Sequence, residues 1–222
     1  MYRAVIFDLF GTLVPPFNPA QYNEALKNAA RASNLADRRV DDWLDVFHGD
    51  DPDYWDRPKT LEEHWVRVAQ SFGVRLAQDH ASAAAQVYAE GVREALSVPD
   101  AVIDMLDRTL AAGIRVGLIS NCGLEVPRLW ASLPWTDRIE APVFSCSVGM
   151  AKPEPQIFLH CLQMLGVHPE ETVFVDDSSD NVTAAQALSM NGIWVAPEKP
   201  LQAHGTLKAV TSVVEAFNVW AG

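Results

Sequence analysis

Apolar residues recur along this chain in two rhythms. At the amino terminus Ala4-Val5-Ile6-Phe7 is a continuous apolar run, closed by Asp8 and broken at Gly11. That arrangement predicts a buried strand followed by a loop. The next stretch of about eighty residues follows the helical spacing instead. Pro19–Ala32 is rich in helix formers, and Val40, Leu44 and Phe47 share one face of 40–47. Leu61, Trp65, Val68 and Phe72 share a face of 61–72, while Val87, Tyr88, Val92 and Leu96 form the apolar side of 79–96. The acidic, proline-interrupted segment 49–58 predicts a loop between the second and third of these helices.

From Pro99 onward the two rhythms alternate. Strands are predicted at 114–119, 142–144, 172–175 and 192–195, with helices at 99–112, 124–132, 154–165 and 180–190. Strands alternating with helices of this length indicate βαβ units and a parallel sheet. The first strand is expected to join that sheet, which makes residues 15–96 a helical insertion. The last stretch, Leu207–Trp220, carries a helical apolar spacing. The expected fold is α/β: a Rossmann-like parallel sheet core (1–14 and 97–222) with helices on both faces, interrupted by the inserted helical domain (15–96).

Composition narrows the function. The 222 residues hold 17 Lys+Arg against 29 Asp+Glu, a net charge of −12, with 49% apolar residues. This apolar content excludes a mostly disordered chain. The negative balance argues against nucleic acid, whose backbone needs basic stripes. No apolar run approaches the roughly 18 residues of a transmembrane helix, so no membrane partner is expected. Met1-Tyr2-Arg3 leads straight into the first strand without a cleavage site, and the three cysteines (Cys122, Cys146, Cys161) lack C-x-x-C spacing. Both features point to a cytoplasmic protein. The six histidines never fall at i, i+3 or i, i+4, so no metal-binding helix face is visible. Cys122 reads best as a small buried filler.

Chemistry is expected at the carboxyl ends of the strands, where open α/β sheets bind ligands. The first strand ends in Asp8-Leu9-Phe10-Gly11-Thr12, the second in Ser120-Asn121. A later loop carries Lys152-Pro153-Glu154-Pro155, and the fourth apolar run ends in Asp176-Asp177, followed by Ser178-Ser179-Asp180-Asn181. This ordered set resembles the haloacid dehalogenase-like hydrolase superfamily, across nearly the whole chain. The helical insertion after the first motif resembles the C1-type cap, so 15–96 is expected to be an inserted helical cap domain.

The resemblance implies roles residue by residue. Asp8 would be the nucleophile, forming a covalent aspartyl intermediate. Gly11 would let the backbone turn beside a bound anion. Thr12, Ser120 and Asn121 would contact substrate, with Ser120 and Lys152 serving the reaction itself. Asp8, Asp177 and the backbone carbonyl of Phe10 would hold Mg²⁺, with Asp176 as a further ligand, directly or through water. Asn121 and Asn181 would help position these groups. The substrate would be a small anionic molecule, a phosphorylated metabolite or a haloacid.

One position departs from the phosphatase pattern. Two residues after the nucleophile, phosphatases of the superfamily carry an acidic proton donor, and this chain has Phe10. An aromatic residue there resembles the metal-independent 2-haloacid dehalogenases. The acidic pair Asp176-Asp177 points the other way, because three converging carboxylates without a cation would raise one another's pKa and tend to leave the nucleophile protonated. Arg38 and Arg39 lie in roughly the region of the early cap where the resembling dehalogenases carry a halide-receiving arginine, but Trp43-Leu44-Asp45 does not reproduce the helix that bears it. The favoured expectation is a Mg²⁺-dependent phosphatase. A C–X bond hydrolase and a catalytically weak phosphate-binding or regulatory protein stay open as alternatives.

Overall fold

The computed structural model describes residues 2–33, 59–196 and 207–221. The expected helix 40–47, the loop 49–58 and the residues Arg38 and Arg39 lie outside them. In chain order the elements are β1 (Ala4–Phe7), α1 (Pro19–Ala32), α2 (Leu61–Ser71), α3 (Gln78–Val92), α4 (Asp100–Ala111), β2 (Arg115–Ser120), α5 (Glu125–Trp130), β3 (Ala141–Phe144), α6 (Ser145–Val148), α7 (Pro155–Leu165), β4 (Thr172–Asp176), α8 (Ser179–Ala187), β5 (Asn191–Val195), β6 (Lys208–Val210) and α9 (Val213–Trp220).

The six strands form one parallel sheet in the order β3-β2-β1-β4-β5-β6. β1 is central because all four of its side chains are apolar and fully buried, the signature of a strand covered on both faces. Ala4 and Ile6 face α7 and α8, in a cluster with Ile157, Phe158, Leu162 and Ala185. Phe158 meets Phe174 edge-on at 5.1 Å. On the opposite face Phe7 packs edge-on against Trp220 of α9 at 5.6 Å, and the Trp220 indole donates to Thr109 of α4. The fold is therefore the Rossmann-like α/β sandwich expected from the alternating rhythm. The register pairs Phe7 with Leu118 and with Val175, which puts Asp8 level with Asp176 at the carboxyl edge.

The carboxyl-terminal stretch differs from its helical spacing. Lys208–Val210 is an edge strand paired with Ile193–Val195, and the helix begins only at Val213. Ser212 caps it by accepting from the Glu215 N–H, while the Glu215 carboxylate accepts from Thr211. This local start signal overrides the apolar spacing upstream.

The chain divides into two compact units. One holds Met1–Phe17, Ser97–Cys122 and Leu133–Gly222, and the other Asn18–Leu96 and Gly123–Ser132. In the second, α1 packs along α3, with Tyr22 and Tyr88 edge-on at 6.4 Å. Residues 123–132 pack with the inserted helices rather than the sheet: Arg128 pairs with Glu62, and Arg93 donates to the Ser132 hydroxyl. No helix among the described residues is long and apolar enough to cross a membrane.

Candidate active site

The site is assembled from loops that leave the carboxyl edge of the sheet. Asp8 follows β1 directly, with its N–H donating to the Val175 carbonyl at 2.8 Å. The chain then folds tightly, the N–H groups of Leu13 and Val14 both donating to the Leu9 carbonyl at 2.9 and 3.0 Å. Gly11 adopts φ +79°, and a Cβ there would lie 2.2 Å from an Asp177 carboxylate oxygen. Only glycine gives both that conformation and that approach, so the first loop lies directly against Asp177.

Lys152 is buried, and its ammonium is held by two carboxylates. It donates to Asp8 and, at 2.7 Å, to Asp176. Its main chain is fixed by Asn121, whose amide donates to the Lys152 carbonyl (2.8 Å) while its oxygen accepts from the Lys152 N–H (2.9 Å). Asn121 thus spends its side chain on placing Lys152.

Asp176 is fully buried and satisfied on both oxygens. One accepts from the Ser178 N–H (2.7 Å), the other from Lys152, and the Asn181 amide reaches both at 3.1 Å. Asp177 is exposed, and its main-chain carbonyl accepts from the Trp194 indole N–H at 2.8 Å. Asp8, Asp176 and Asp177 each offer a carboxylate oxygen within 4.8 Å of the others. An all-oxygen donor set of this charge suits a hard divalent cation.

Two further side chains suit an anionic ligand. The hydroxyls of Thr12 and Ser120 are buried and have no hydrogen-bond partner among the described residues. Leaving such a group unsatisfied costs about 1–3 kcal/mol; Thr12 lies in the loop after β1 and Ser120 is the last residue of β2, both at the carboxyl edge of the sheet. Two buried hydroxyls and a buried lysine on the same edge of the sheet suit an anion.

The electrostatics follow from burial and crowding. Burial pushes the Asp8 carboxyl up to about 6; Lys152 opposes the rise and Asp176 adds to it. Burial, reinforced by Asp176, also raises Asp177, with Lys152 opposing. For Lys152 burial disfavours the charge, but Asp8 and Asp176 outweigh it and hold the ammonium above its ordinary value.

The sequence reading did not single out Trp194, Ser178 or Glu125. An indole donor to Asp177 carries no motif, since it reaches there only through strand pairing. In the second unit Glu125 is buried, with its carboxyl pushed up to about 7 by burial against opposing N–H groups of Glu125 and Gly123. Its negative charge adds to burial in raising the neighbouring Tyr88 phenol. Cys122 is half-buried, and the fully buried thiol is Cys161.

A family model of the haloacid dehalogenase-like hydrolases matches residues 2–188. The chain belongs to this family. Among its relatives, the glyceraldehyde 3-phosphate phosphatase of Methanopyrus kandleri is 29% identical over 190 residues, which is 81% of this chain and 77% of that protein. The mouse acyl-CoA dehydrogenase family member 10 is 27% identical over 220 residues, 94% of this chain but only 19% of that much longer protein. Among solved structures, the 2-haloacid dehalogenase of Pseudomonas syringae pv. Tomato DC3000 matches with a TM-score of 0.78 and 25% identity, covering 100% of this chain and 99% of that one. This haloacid dehalogenase-like chain is a hydrolase by family, with both phosphatases and a dehalogenase among its relatives.

Proposed function

We propose that the protein is a Mg²⁺-dependent phosphatase of small phosphorylated metabolites, with Asp8 as nucleophile. The observation that carries the reading is the convergence of Asp8, Asp176 and Asp177 around one buried lysine. A single ammonium offsets one of three negative charges, and Asp8 remains partly protonated near pH 6. Bound Mg²⁺, held by Asp8, Asp177 and the Phe10 carbonyl, would supply the missing positive charge and polarise the phosphoryl group.

The chain's own residues have separate tasks. The Asp8 carboxylate attacks phosphorus, and the bond to the leaving oxygen breaks. Thr12 and Ser120 donate their unpartnered hydroxyls to the phosphoryl oxygens. Lys152 offsets charge on the transferring group. Asp176, whose oxygens are already bonded, acts through Lys152 and Asn181 rather than from the front of the site. Water then cleaves the aspartyl-phosphate and regenerates Asp8.

A second reading is favoured by Phe10 and by the likeness to the Pseudomonas dehalogenase. There Asp8 displaces halide from carbon without metal. One experiment separates the two. Phosphate release from a panel of phosphate esters is measured with Mg²⁺, and halide release from 2-haloacids with chelator, each beside Asp8→Asn. Mg²⁺-dependent phosphate release that vanishes in the variant supports the phosphatase. Halide release in chelator, with no phosphate release, overturns it.

A further inference from the structure

Phosphoryl transfer from an alkyl ester normally needs a proton delivered to the departing oxygen, and among the described residues the groups around Asp8 do not offer one. Asp8 bonds to Lys152, and carboxylate oxygens of Asp176 and Asp177 lie within 4.8 Å of it and of each other, Asp177 being the one that the phosphatase reading gives to Mg²⁺. The Lys152 ammonium is committed to two carboxylates, and Asp176 is committed to Lys152, Ser178 and Asn181. Thr12 and Ser120 carry hydroxyls, far too weak as acids. The loop after the nucleophile is Leu9, Phe10 and Gly11, with nothing ionisable. Instead the Phe10 ring meets Phe17 edge-on at 6.2 Å, and Phe17 is 48% exposed. A half-buried ring and an exposed one thus stand close along the chain to the nucleophile, and among the described residues Phe17 is the one Phe, Tyr or Trp side chain that is exposed.

We propose that the substrate carries its phosphate on an acidic oxygen, as an aryl, enol or acyl phosphate whose apolar leaving group departs as an anion beside Phe10 and Phe17. The inference rests on the phosphatase reading and narrows it to a substrate class. In the first step an Asp8 oxygen bonds to phosphorus, the P–O bond to the leaving group breaks, and that oxygen keeps the electron pair without a proton. In the second, water attacks the same phosphorus, the Asp8–phosphorus bond breaks, and the water proton goes to solvent. The second step has no base among these residues either, so the aspartyl-phosphate accumulates. Alkyl phosphates, whose alkoxide leaves only when protonated, are poor substrates.

The test uses the full chain with Mg²⁺ and aryl phosphates graded in phenol acidity, alongside an alkyl phosphate of similar size. Steady-state kcat/KM reports the first step, because it includes nothing after leaving-group departure. It is expected to fall by about 10²–10⁴ from the acidic phenol to the alkyl ester, the size of one missing proton transfer. Rapid mixing is expected to show a burst of phenolate approaching one per protein molecule, followed by a kcat that no longer depends on the phenol. Phe10→Asp is expected to raise kcat/KM for the alkyl ester and remove the burst. Phe10→Asn, which alters the ring equally but cannot protonate, is expected to do neither. Circular dichroism confirms that both variants fold. Asp8-dependent turnover with equal kcat/KM for aryl and alkyl esters overturns this inference alone. No Asp8-dependent phosphate release from any ester overturns the phosphatase reading beneath it.

Discussion

Replacing Lys152 with methionine keeps most of the side-chain volume and removes the only cation that Asp8 and Asp176 touch among the described residues. At an effective dielectric near 20, an ion pair at the 2.7 Å separating Lys152 from Asp176 has a gross attraction of roughly 6 kcal/mol. Most of that is offset by desolvation. Breaking a buried pair by removing one partner nevertheless costs about 3–5 kcal/mol, because the other charge stays buried and unpaired. Asp8 and Asp176 are 7% and 0% exposed, so this range applies. The loss also carries a pH signature. The Asp8 carboxyl stands at about 6 with Lys152 present, and Lys152 pulls it down, so the variant raises it further. A carboxyl whose folded value exceeds its unfolded one favours folding below the unfolded value and loses that contribution as pH rises through the folded value. The deficit of Lys152→Met is therefore largest above about pH 7 and shrinks toward about pH 4. Urea denaturation followed by circular dichroism at several pH values measures it. Adding Asp176→Asn to the variant is expected to recover part of the loss, since one unpaired charge goes. A loss below about 1 kcal/mol at pH 8, the scale of an exposed pair, or a loss independent of pH, refutes the buried-cation account.

Three further outcomes follow from other residues. Glu125, pushed up to about 7 from an ordinary 4.5, disfavours folding as pH rises across that window. Glu125→Gln is thus expected to gain on wild type between those values, by at most about 3 kcal/mol at 1.36 kcal/mol per pH unit, and thermal melts across the range check it. Gly11→Ala must hold a left-handed residue, costing about 1–2 kcal/mol, and its methyl would displace Asp177. Weaker Mn²⁺ binding by electron paramagnetic resonance, beyond any change in melting temperature, is the expected result. Trp194→Phe removes the donor to the Asp177 carbonyl, a bond worth about 0.5–1.5 kcal/mol. Its midpoint for Mg²⁺-induced thermal stabilisation is expected to rise severalfold, and an unchanged midpoint would remove Trp194 from any role in placing Asp177.

Much of this was legible in the residues. Ala4–Phe7 reads as a strand buried on both sides, and the helices 19–32 and 61–72 follow from helix formers and from apolar spacing; the structure adds Asn18 and Thr60 as their caps and ends the second at Ser71. Asp8, Ser120 and Asp176-Asp177 stand out as polar interruptions at the ends of apolar runs, and Lys152 as the cation of a proline-flanked loop before a helix. Lys208–Val210 carries a helical spacing yet forms a strand, because a three-residue edge strand has too few positions for period two to separate from period 3.6. Chain order places the helix of 124–132 with the core, while its partners Glu62 and Arg93 come from the insertion, a contact that local spacing does not encode.

The sequence, through local spacing and capping, determined the order and kind of most elements and named the candidates for the chemistry. Tertiary structure alone decided what those candidates do to one another. Parallel pairing brings Asp8 level with Asp176, though 168 residues separate them along the chain, and lowers Lys152 between their carboxylates. Register also carries Trp194 to the Asp177 carbonyl and leaves Thr12 and Ser120 buried without partners. Burial, the largest cause of the Asp8 and Glu125 shifts, depends on how much of the fold closes over a group. It is a property of packing among distant segments, which no local spacing encodes.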